Sequence, residues 1–186
     1  MRTNALTVIH KFLRREMFDF SQQLFRAGPE DCTPIRHALE SLAELLEQHA
    51  AHEEARFEPM LRDLDPARAE RLSQEHRRLE DQLHGLLHVA RHLDSNAANC
   101  RDTLLQLNLD WNRYLSAYLA HLDDEERTMF TVLEDRIPPV SMLAEKARVD
   151  GTRGREFLLK LWAVTTCEER MAIERATQPI ETEAYA

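Results

Sequence analysis

The chain has 186 residues and a formal net charge of −9, which is enough length for one domain with a hydrophobic core and a small appendage. Glycine (4 residues) and aromatic residues (6%) are scarce, whereas Leu, Ala, Glu and Arg are abundant, a composition typical of helical proteins. The acidic charge argues against nucleic-acid binding, and the lack of a long apolar run argues against a membrane span or a signal peptide. We therefore expect a soluble, cytoplasmic, all-α protein.

Turn-forming residues divide the first part of the sequence into four long helical patterns with short connections. The predicted helices cover residues 3–27, 35–63, 66–93 and 100–136. Asp65 and Pro66 predict the start of the third helix, and Pro59 is expected to kink the second near its end. Because short connections force neighbouring helices to be antiparallel, we predict an up-down-up-down four-helix bundle over residues 1–138.

Residues 139–186 are predicted to form a helical C-terminal extension. Short helices are expected over residues 141–149, 156–163 and 166–176, with residues 177–186 frayed. Gly151 and Gly154 are expected to break the first of these helices, and Thr166 and Glu169 form a predicted capping box that opens the last. The side chains expected to pack the extension on the bundle, or on the partner in a possible homodimer, are Phe157, Leu158, Leu161 and Trp162.

A histidine followed four residues later by a glutamate occurs in the second and the fourth predicted helix, as His49 and Glu53 and as His121 and Glu125. A helix advances about 100° per residue, so each pair lies one turn apart on one face, and in both helices that face is otherwise apolar. The same counting places a histidine on the apolar face of each remaining helix, His10 in the first and His76 in the third. Each predicted helix thus directs one histidine into the core.

Two glutamates in an apolar core need a compensating positive charge. A carboxylate moved out of water into such a core is costly unless it becomes neutral or meets a cation. The apolar faces offer no lysine or arginine near Glu53 or Glu125, apart from Arg56 at the edge of one of them. A single core histidine is usually an ordinary buried residue with a hydrogen-bond partner, but four of them with two glutamates favour a pair of bound metal ions.

The donor atoms indicate which metal would suit such a site. Imidazole and carboxylate ligands without a thiolate suit iron or manganese better than structural zinc. The three cysteines, Cys32, Cys100 and Cys167, are far apart in sequence and form no CxxC pair. They therefore predict neither a disulfide framework nor a thiolate metal site.

Three further residues are candidates near the metal site. Glu80 follows His76 by four residues, but it lies at the edge of its apolar face, so the sequence leaves open whether it is a ligand or a solvated side chain. Tyr114 and Tyr118 share the face of His121, and they are either pocket residues that contact a bound small molecule or core aromatics. The side chains predicted to face solvent or a helix flank are His37, His52, Glu54, His84, His88, His92 and Glu126.

The order of these groups, one per helix, is His, His-x3-Glu, His, His-x3-Glu, and it resembles the hemerythrin-like (HHE cation-binding) family over about residues 5–136. The segment from His49 to Leu61, with Pro59, also resembles the family pattern, whereas the second copy has Thr131 where Pro59 would align. The resemblance implies an oxo- or hydroxo-bridged pair of iron ions. The implied terminal ligands are His10, His49, His76 and His121, and the implied bridging ligands are Glu53 and Glu125.

The resemblance also implies a function, the binding or sensing of O2, or of a related small oxidant such as NO or peroxide, at an open iron position. Oxygen carriers of the family have a second histidine one turn after the third-helix ligand, where this chain has Glu80. The family's iron-centre-repair branch uses a similar set of four histidines and two glutamates. An enzyme that reduces peroxide or NO, iron-centre repair, and a regulatory role in which residues 139–186 report the iron state to a redox or regulatory partner therefore remain alternatives.

Overall fold

The computed structural model describes residues 4–133, 135–143 and 151–177, and these residues are almost entirely helical. The helices are α1 (Ala5–Arg26), α2 (Cys32–Arg56), α3 (Glu58–Leu64), α4 (Pro66–Arg91), α5 (Cys100–Asp124), α6 (Phe130–Val132), α7 (Gly151–Trp162) and α8 (Cys167–Thr177). A 3-10 turn (Pro29–Asp31) precedes α2, and a π-helical turn (Glu125–Met129) joins α5 to α6. The described residues contain no β-strand, only an isolated bridge between Asn4 and Pro139, so the all-α prediction is confirmed.

The chain divides into two compact units, and α1 runs through both. We call Arg14–Glu134 the main unit and Met1–Leu13 together with Asp135–Ala186 the terminal unit. Throughout the described part of the chain, each helix falls short of the length or the hydropathy that crossing a bilayer requires.

In the main unit, α4 packs against both α2 and α5. The second half of α1 packs against α5, where the Phe20 ring meets Trp111 edge-on at 4.6 Å and the Trp111 indole N–H donates to Oγ of Ser21 at 2.7 Å. Each fully buried leucine or methionine on these helices contributes about 1.5–3 kcal/mol relative to an exposed one. The largest such side chains include Met17, Leu39, Leu46, Leu83, Leu107 and Leu122.

The first residues of α2 and α5 lie together, although they are distant in sequence. Cys32 begins α2, Cys100 begins α5, and their Sγ atoms are 3.2 Å apart. Nothing in the spacing of the two cysteines predicts this contact.

The second helical pattern is interrupted at Phe57, as Pro59 predicted. Proline lacks an N–H, and its ring collides with the carbonyl four residues earlier, so a continuous helix cannot pass through position 59. The chain therefore ends α2 at Arg56 and begins α3 at Glu58, with Phe57 between them. As a result, Glu53 lies in the last turn of α2.

The fourth pattern is also interrupted, but without a proline. From Glu125 to Met129 the chain makes a wider turn, in which the N–H of Phe130 donates to the carbonyl of Glu125. Such π-helical turns are rare and frequently mark functional sites. The sequence predicted one continuous helix over residues 100–136 and contains no signal for this turn.

Two predicted helix starts are confirmed. A carboxylate oxygen of Asp65 accepts a hydrogen bond from the Arg68 N–H at the start of α4. In the capping box before α8, the Thr166 N–H donates to Glu169 at 2.7 Å, and the Glu169 N–H donates to the Thr166 hydroxyl at 3.2 Å.

The prediction that Gly151 and Gly154 break the helical pattern was wrong, because α7 begins at Gly151 and continues through Gly154. A glycine within a helix costs only about 1 kcal/mol, and the burial of Leu158 and Leu161 outweighs that cost. The helix predicted over residues 141–149 lies mostly outside the described residues, as do the frayed residues predicted after Thr177, which ends α8.

In the terminal unit, the C-terminal helices pack against the first half of α1. The Phe157 ring on α7 meets Phe12 edge-on at 5.4 Å, and the Lys11 ammonium is 2.6 Å from a carboxylate oxygen of Glu169 on α8. The N–H of Ala5 donates to the carbonyl of Pro138. Phe157 thus contacts α1 within the terminal unit, and the packing of the extension on the bundle or on a partner stays a prediction.

Candidate metal centre

Five of the predicted ligands meet inside the main unit. Nε2 of His49 lies 3.5 Å from Glu53, and Nε2 of His121 lies 3.3 Å from Glu125. Nε2 of His76 lies 3.6 Å from an oxygen of each glutamate. Three imidazole nitrogens therefore face two carboxylates, and His76 stands between them.

All five side chains are removed from solvent. Glu53 is 0% exposed, Glu125 is 1% exposed, and the three histidines are buried as well. Burying even one carboxylate costs several kcal/mol unless positive charge compensates it. Two of them in one dry pocket therefore require a compensating charge that neutral imidazoles do not supply.

The backbone explains how the site is assembled. His49 and Glu53 come from the last turns of α2, and His76 comes from α4, which packs against it. His121 lies in the last turn of α5, and Glu125 opens the π-helical turn. Because residues four apart share a helix face, His49 and His121 are each carried beside a glutamate of the same helix.

Two further carboxylates lie at the Nδ1 side of the His76 and His121 rings, away from Glu53 and Glu125. Nδ1 of His121 is 3.3 Å from Glu75, and Nδ1 of His76 is 3.5 Å from Glu54. In metal sites such outer carboxylates fix the ring orientation and raise the basicity of the ligating nitrogen. Here Glu75 directs Nε2 of His121 towards Glu125, whereas Glu54 lies at ion-pair distance from His76.

Neither outer carboxylate is predicted from the sequence. Glu54 is largely exposed, in line with the prediction that it faces solvent, yet its carboxylate lies close to His76, and Glu75 carries no motif that marks it. The only signal available was their position, since each directly neighbours a ligand candidate, Glu53 or His76, in the chain. The hydrogen bond with His121 holds the pKa of Glu75 below its usual value, against the opposing effect of burial.

The electrostatics of the site favour a bound cation. Burial alone would lower the pKa of His76, but Glu125 and Glu53 outweigh it and raise that pKa to about 10. A positive charge at this point is therefore strongly stabilised. A proton on His76 supplies it in the metal-free protein, and a metal ion can supply it in its place.

The donor spacing fits a metal. One ligand atom from each of Glu53, His76, His121 and Glu125 lies within 4.8 Å of the others. Ligands held about 2.1 Å from a shared ion lie roughly 3.0–3.4 Å from one another, close to the separations found here. The group offers two imidazoles and two carboxylates, a donor set suited to iron or manganese.

The structure places the other two ligand candidates differently. His10 is fully buried on α1 and belongs to the terminal unit, so its role as a ligand stays a prediction. Glu80 is exposed and lines the cavity beside His76, outside the buried group of donors.

A cavity of about 110 Å³ in the main unit leads to the site. His76, His121, Tyr114 and Tyr118 line it, together with three exposed glutamates, Glu47, Glu54 and Glu80. A space of this size holds a few water molecules or one small ligand.

The two tyrosines belong to a row of aromatic rings that extends from the cavity into the core. The Tyr118 ring lies 5.7 Å from the His121 ring and 5.8 Å from Tyr114, which in turn lies 5.5 Å from Trp111. Burial raises the pKa of both phenols, so they remain protonated donors at neutral pH.

The remaining histidines lie on the surface, as predicted, for His37, His52, His84, His88 and His92 are all exposed. Nε2 of His84 is 3.2 Å from Glu47, and Nδ1 of His92 lies 2.7 Å from the carbonyl of His88. Glu126, predicted to face outward, pairs with the Arg14 guanidinium at 2.7 Å.

Comparison with protein families gives one match: the model of the hemerythrin HHE cation-binding domain matches residues 1–133. Neither the curated proteins nor the solved structures gave a match.

Proposed function

Because the chain belongs to the hemerythrin HHE cation-binding family, we propose that it is a di-iron protein that binds or senses O2 or a related small oxidant such as NO or peroxide. The observation that carries the proposal is the position of His76, whose Nε2 lies 3.6 Å from each of two buried glutamates. An arrangement with this much buried negative charge fits a site built for cations.

In this proposal the carboxylates of Glu53 and Glu125 would hold a pair of iron ions. The proposed terminal ligands are His10, His49, His76 and His121. The proposed architecture is an up-down-up-down bundle of α1, α2, α4 and α5. Two contacts support a parallel arrangement of α2 and α5. Cys32 contacts Cys100 where the two helices begin. Near their ends, Glu53 and Glu125 both approach the imidazole of His76.

Iron held at this site would supply reversible one-electron chemistry for a small molecule. Glu75 orients the ring of His121, and Glu54 places negative charge beside Nδ1 of His76. Three buried leucines, Leu46, Leu79 and Leu83, form the apolar part of the cavity lining.

The cavity supports a small ligand. Its volume of about 110 Å³ is large enough for a diatomic molecule or a peroxide. The protonated phenols of Tyr114 and Tyr118 line it and can donate hydrogen bonds to such a ligand.

A second candidate function is an enzyme that reduces peroxide or NO, or one that delivers iron for the repair of damaged centres. The ring contact between Tyr118 and His121 favours reduction, since a phenol beside a ligand can supply an electron and a proton. Rapid consumption of peroxide by the iron-loaded protein would support the enzyme. A stable oxygenated spectrum without turnover would support the carrier or sensor.

The direct test is metal analysis of the purified protein, with visible spectra recorded under nitrogen and then in air. We expect close to two irons per chain and the visible absorption of a bridged iron pair. His49→Ala should empty most of the site, whereas His52→Ala, three residues along the same helix and exposed, should keep its iron. Equal iron content in the two variants would contradict the proposal.

A further inference from the structure

Cys32 and Cys100 form a pair of buried thiols outside the metal centre. Their Sγ atoms are 3.2 Å apart, and the side chains are 5% and 3% exposed. A disulfide bond is about 2.05 Å long, so the two sulphur atoms need to approach by only about 1.2 Å. The residues are 68 positions apart in sequence, so the contact arises only when the fold brings the starts of α2 and α5 together.

The surroundings of the pair keep the Cys32 thiol protonated. Burial, together with the neighbouring Cys100 thiol and the carboxylates of Asp94 and Asp31, raises the pKa of Cys32 to about 11. A helix N-terminus usually lowers the pKa of a cysteine, but here burial and the two acids prevail. Cys32 therefore stays protonated at neutral pH and reacts slowly.

We propose that Cys32 and Cys100 are a modification site, at which a two-electron oxidant of the small-disulfide class forms a reversible disulfide. One cysteine, as its thiolate, attacks the oxidant disulfide and releases one thiol. The second cysteine then attacks the mixed disulfide and releases the other thiol. Two protein thiols are oxidised to one disulfide, and one oxidant disulfide is reduced to two thiols that carry away the protons.

The third cysteine differs from this pair. Cys167 lies at the start of α8 in the terminal unit and is exposed. It can react with a small disulfide only by forming a mixed disulfide or a link to a second chain. It therefore serves as an internal control for the activity of the oxidant.

The disulfide would join the two helices that carry the His-x3-Glu pairs. It would close a long loop containing most of α2, all of α3 and all of α4, and thereby restrict the unfolded chain. For a loop of this length we expect the midpoint of thermal unfolding to rise by roughly 10 °C on oxidation. The inference does not depend on the identity of the metal.

The test equilibrates the full-length protein in a series of glutathione buffers, from fully reduced to fully oxidised. Because burial slows the reaction, the same buffers are also used to refold the denatured chain. Free thiols are then blocked with N-ethylmaleimide in denaturant, and the chain is digested without reductant. We expect a peptide pair joined through Cys32 and Cys100, lighter by two hydrogens, which disappears on return to reduced glutathione.

Two variants complete the experiment. Cys167→Ser should keep the cross-link and the rise in melting temperature, whereas Cys100→Ala should lose both and leave Cys32 as a free thiol or as a mixed disulfide with glutathione. Recovery of Cys32 and Cys100 as free thiols in oxidised buffer, after both equilibration and refolding, would overturn the proposal. Their recovery as mixed disulfides with glutathione, rather than with each other, would overturn it as well.

Discussion

His121 on α5 faces Glu75 on α4, with Nδ1 and the carboxylate oxygen 3.3 Å apart. This contact orients the ring, so its loss should weaken metal binding without removing a ligand. We expect Glu75→Gln to lower metal affinity by about 10–100-fold and to leave the helical content unchanged. A competition titration with a metal chelator measures the affinity.

The matched control is Asp81→Asn, which removes an exposed acid from the same helix. It should bind metal like the unmodified chain. If both variants lost affinity equally, the effect would come from the overall charge, and the orienting role of Glu75 would be refuted.

Glu80 gives a second prediction. Because its side chain is exposed beside the cavity, outside the buried donor group, we expect Glu80→Gln to retain the full metal content. The number of iron ions per chain, measured by inductively coupled plasma analysis, tests this prediction. A clear loss of iron, comparable to that of Glu53→Gln, would make Glu80 a ligand.

Tyr118 gives a third prediction. Tyr118→Phe removes a hydroxyl from the cavity and keeps the ring. Because one hydrogen bond contributes about 0.5–1.5 kcal/mol, a bound small oxidant should dissociate up to roughly tenfold faster. Stopped-flow absorption measures that rate, and iron content should not change. An unaltered dissociation rate would show that the hydroxyl does not contact the ligand.

The ion pair between Lys11 and Glu169 predicts how stability depends on pH. Burial would raise the pKa of Glu169, but the ammonium of Lys11 and the hydrogen bonds from Thr166 lower it below its usual value. A carboxyl with a lowered pKa in the folded state contributes stability above about pH 4.5, and that contribution is lost as the pH falls further. Glu169→Gln should therefore cost about 1 kcal/mol at pH 7.

Thermal unfolding of both proteins at pH 7 and near pH 4 tests this directly. The difference in melting temperature, expected to be about 2–4 °C at pH 7, should shrink in acid. A difference that stayed constant would mean that Glu169 stabilises the terminal unit by packing alone.

The sequence predicted what depends on local spacing. His49 with Glu53 and His121 with Glu125 could be identified because residues four apart share a helix face, and the break near Pro59 follows from the chemistry of proline. The sequence did not predict contacts that arise only when separate helices pack. Glu75 was missed because its partner, His121, lies on another helix.

The π-helical turn and the continuation of α7 through Gly154 were not predicted for a different reason. In each case packing outweighs a local conformational preference, for a regular α-helix in the first and against glycine within a helix in the second. The residue types at these positions do not reveal it.

In both copies of the His-x3-Glu pattern the regular α-helix is interrupted close to the glutamate, although the cause differs. After Glu53 the α-helix is interrupted at Phe57, two residues before Pro59, and at Glu125 it passes into a π-helical turn. Prolines and π-helical turns are common sites of sharp helix kinks. Each of the two glutamates thus lies where a regular helix meets an irregular turn. A change in the geometry of either turn would therefore move one carboxylate relative to the other.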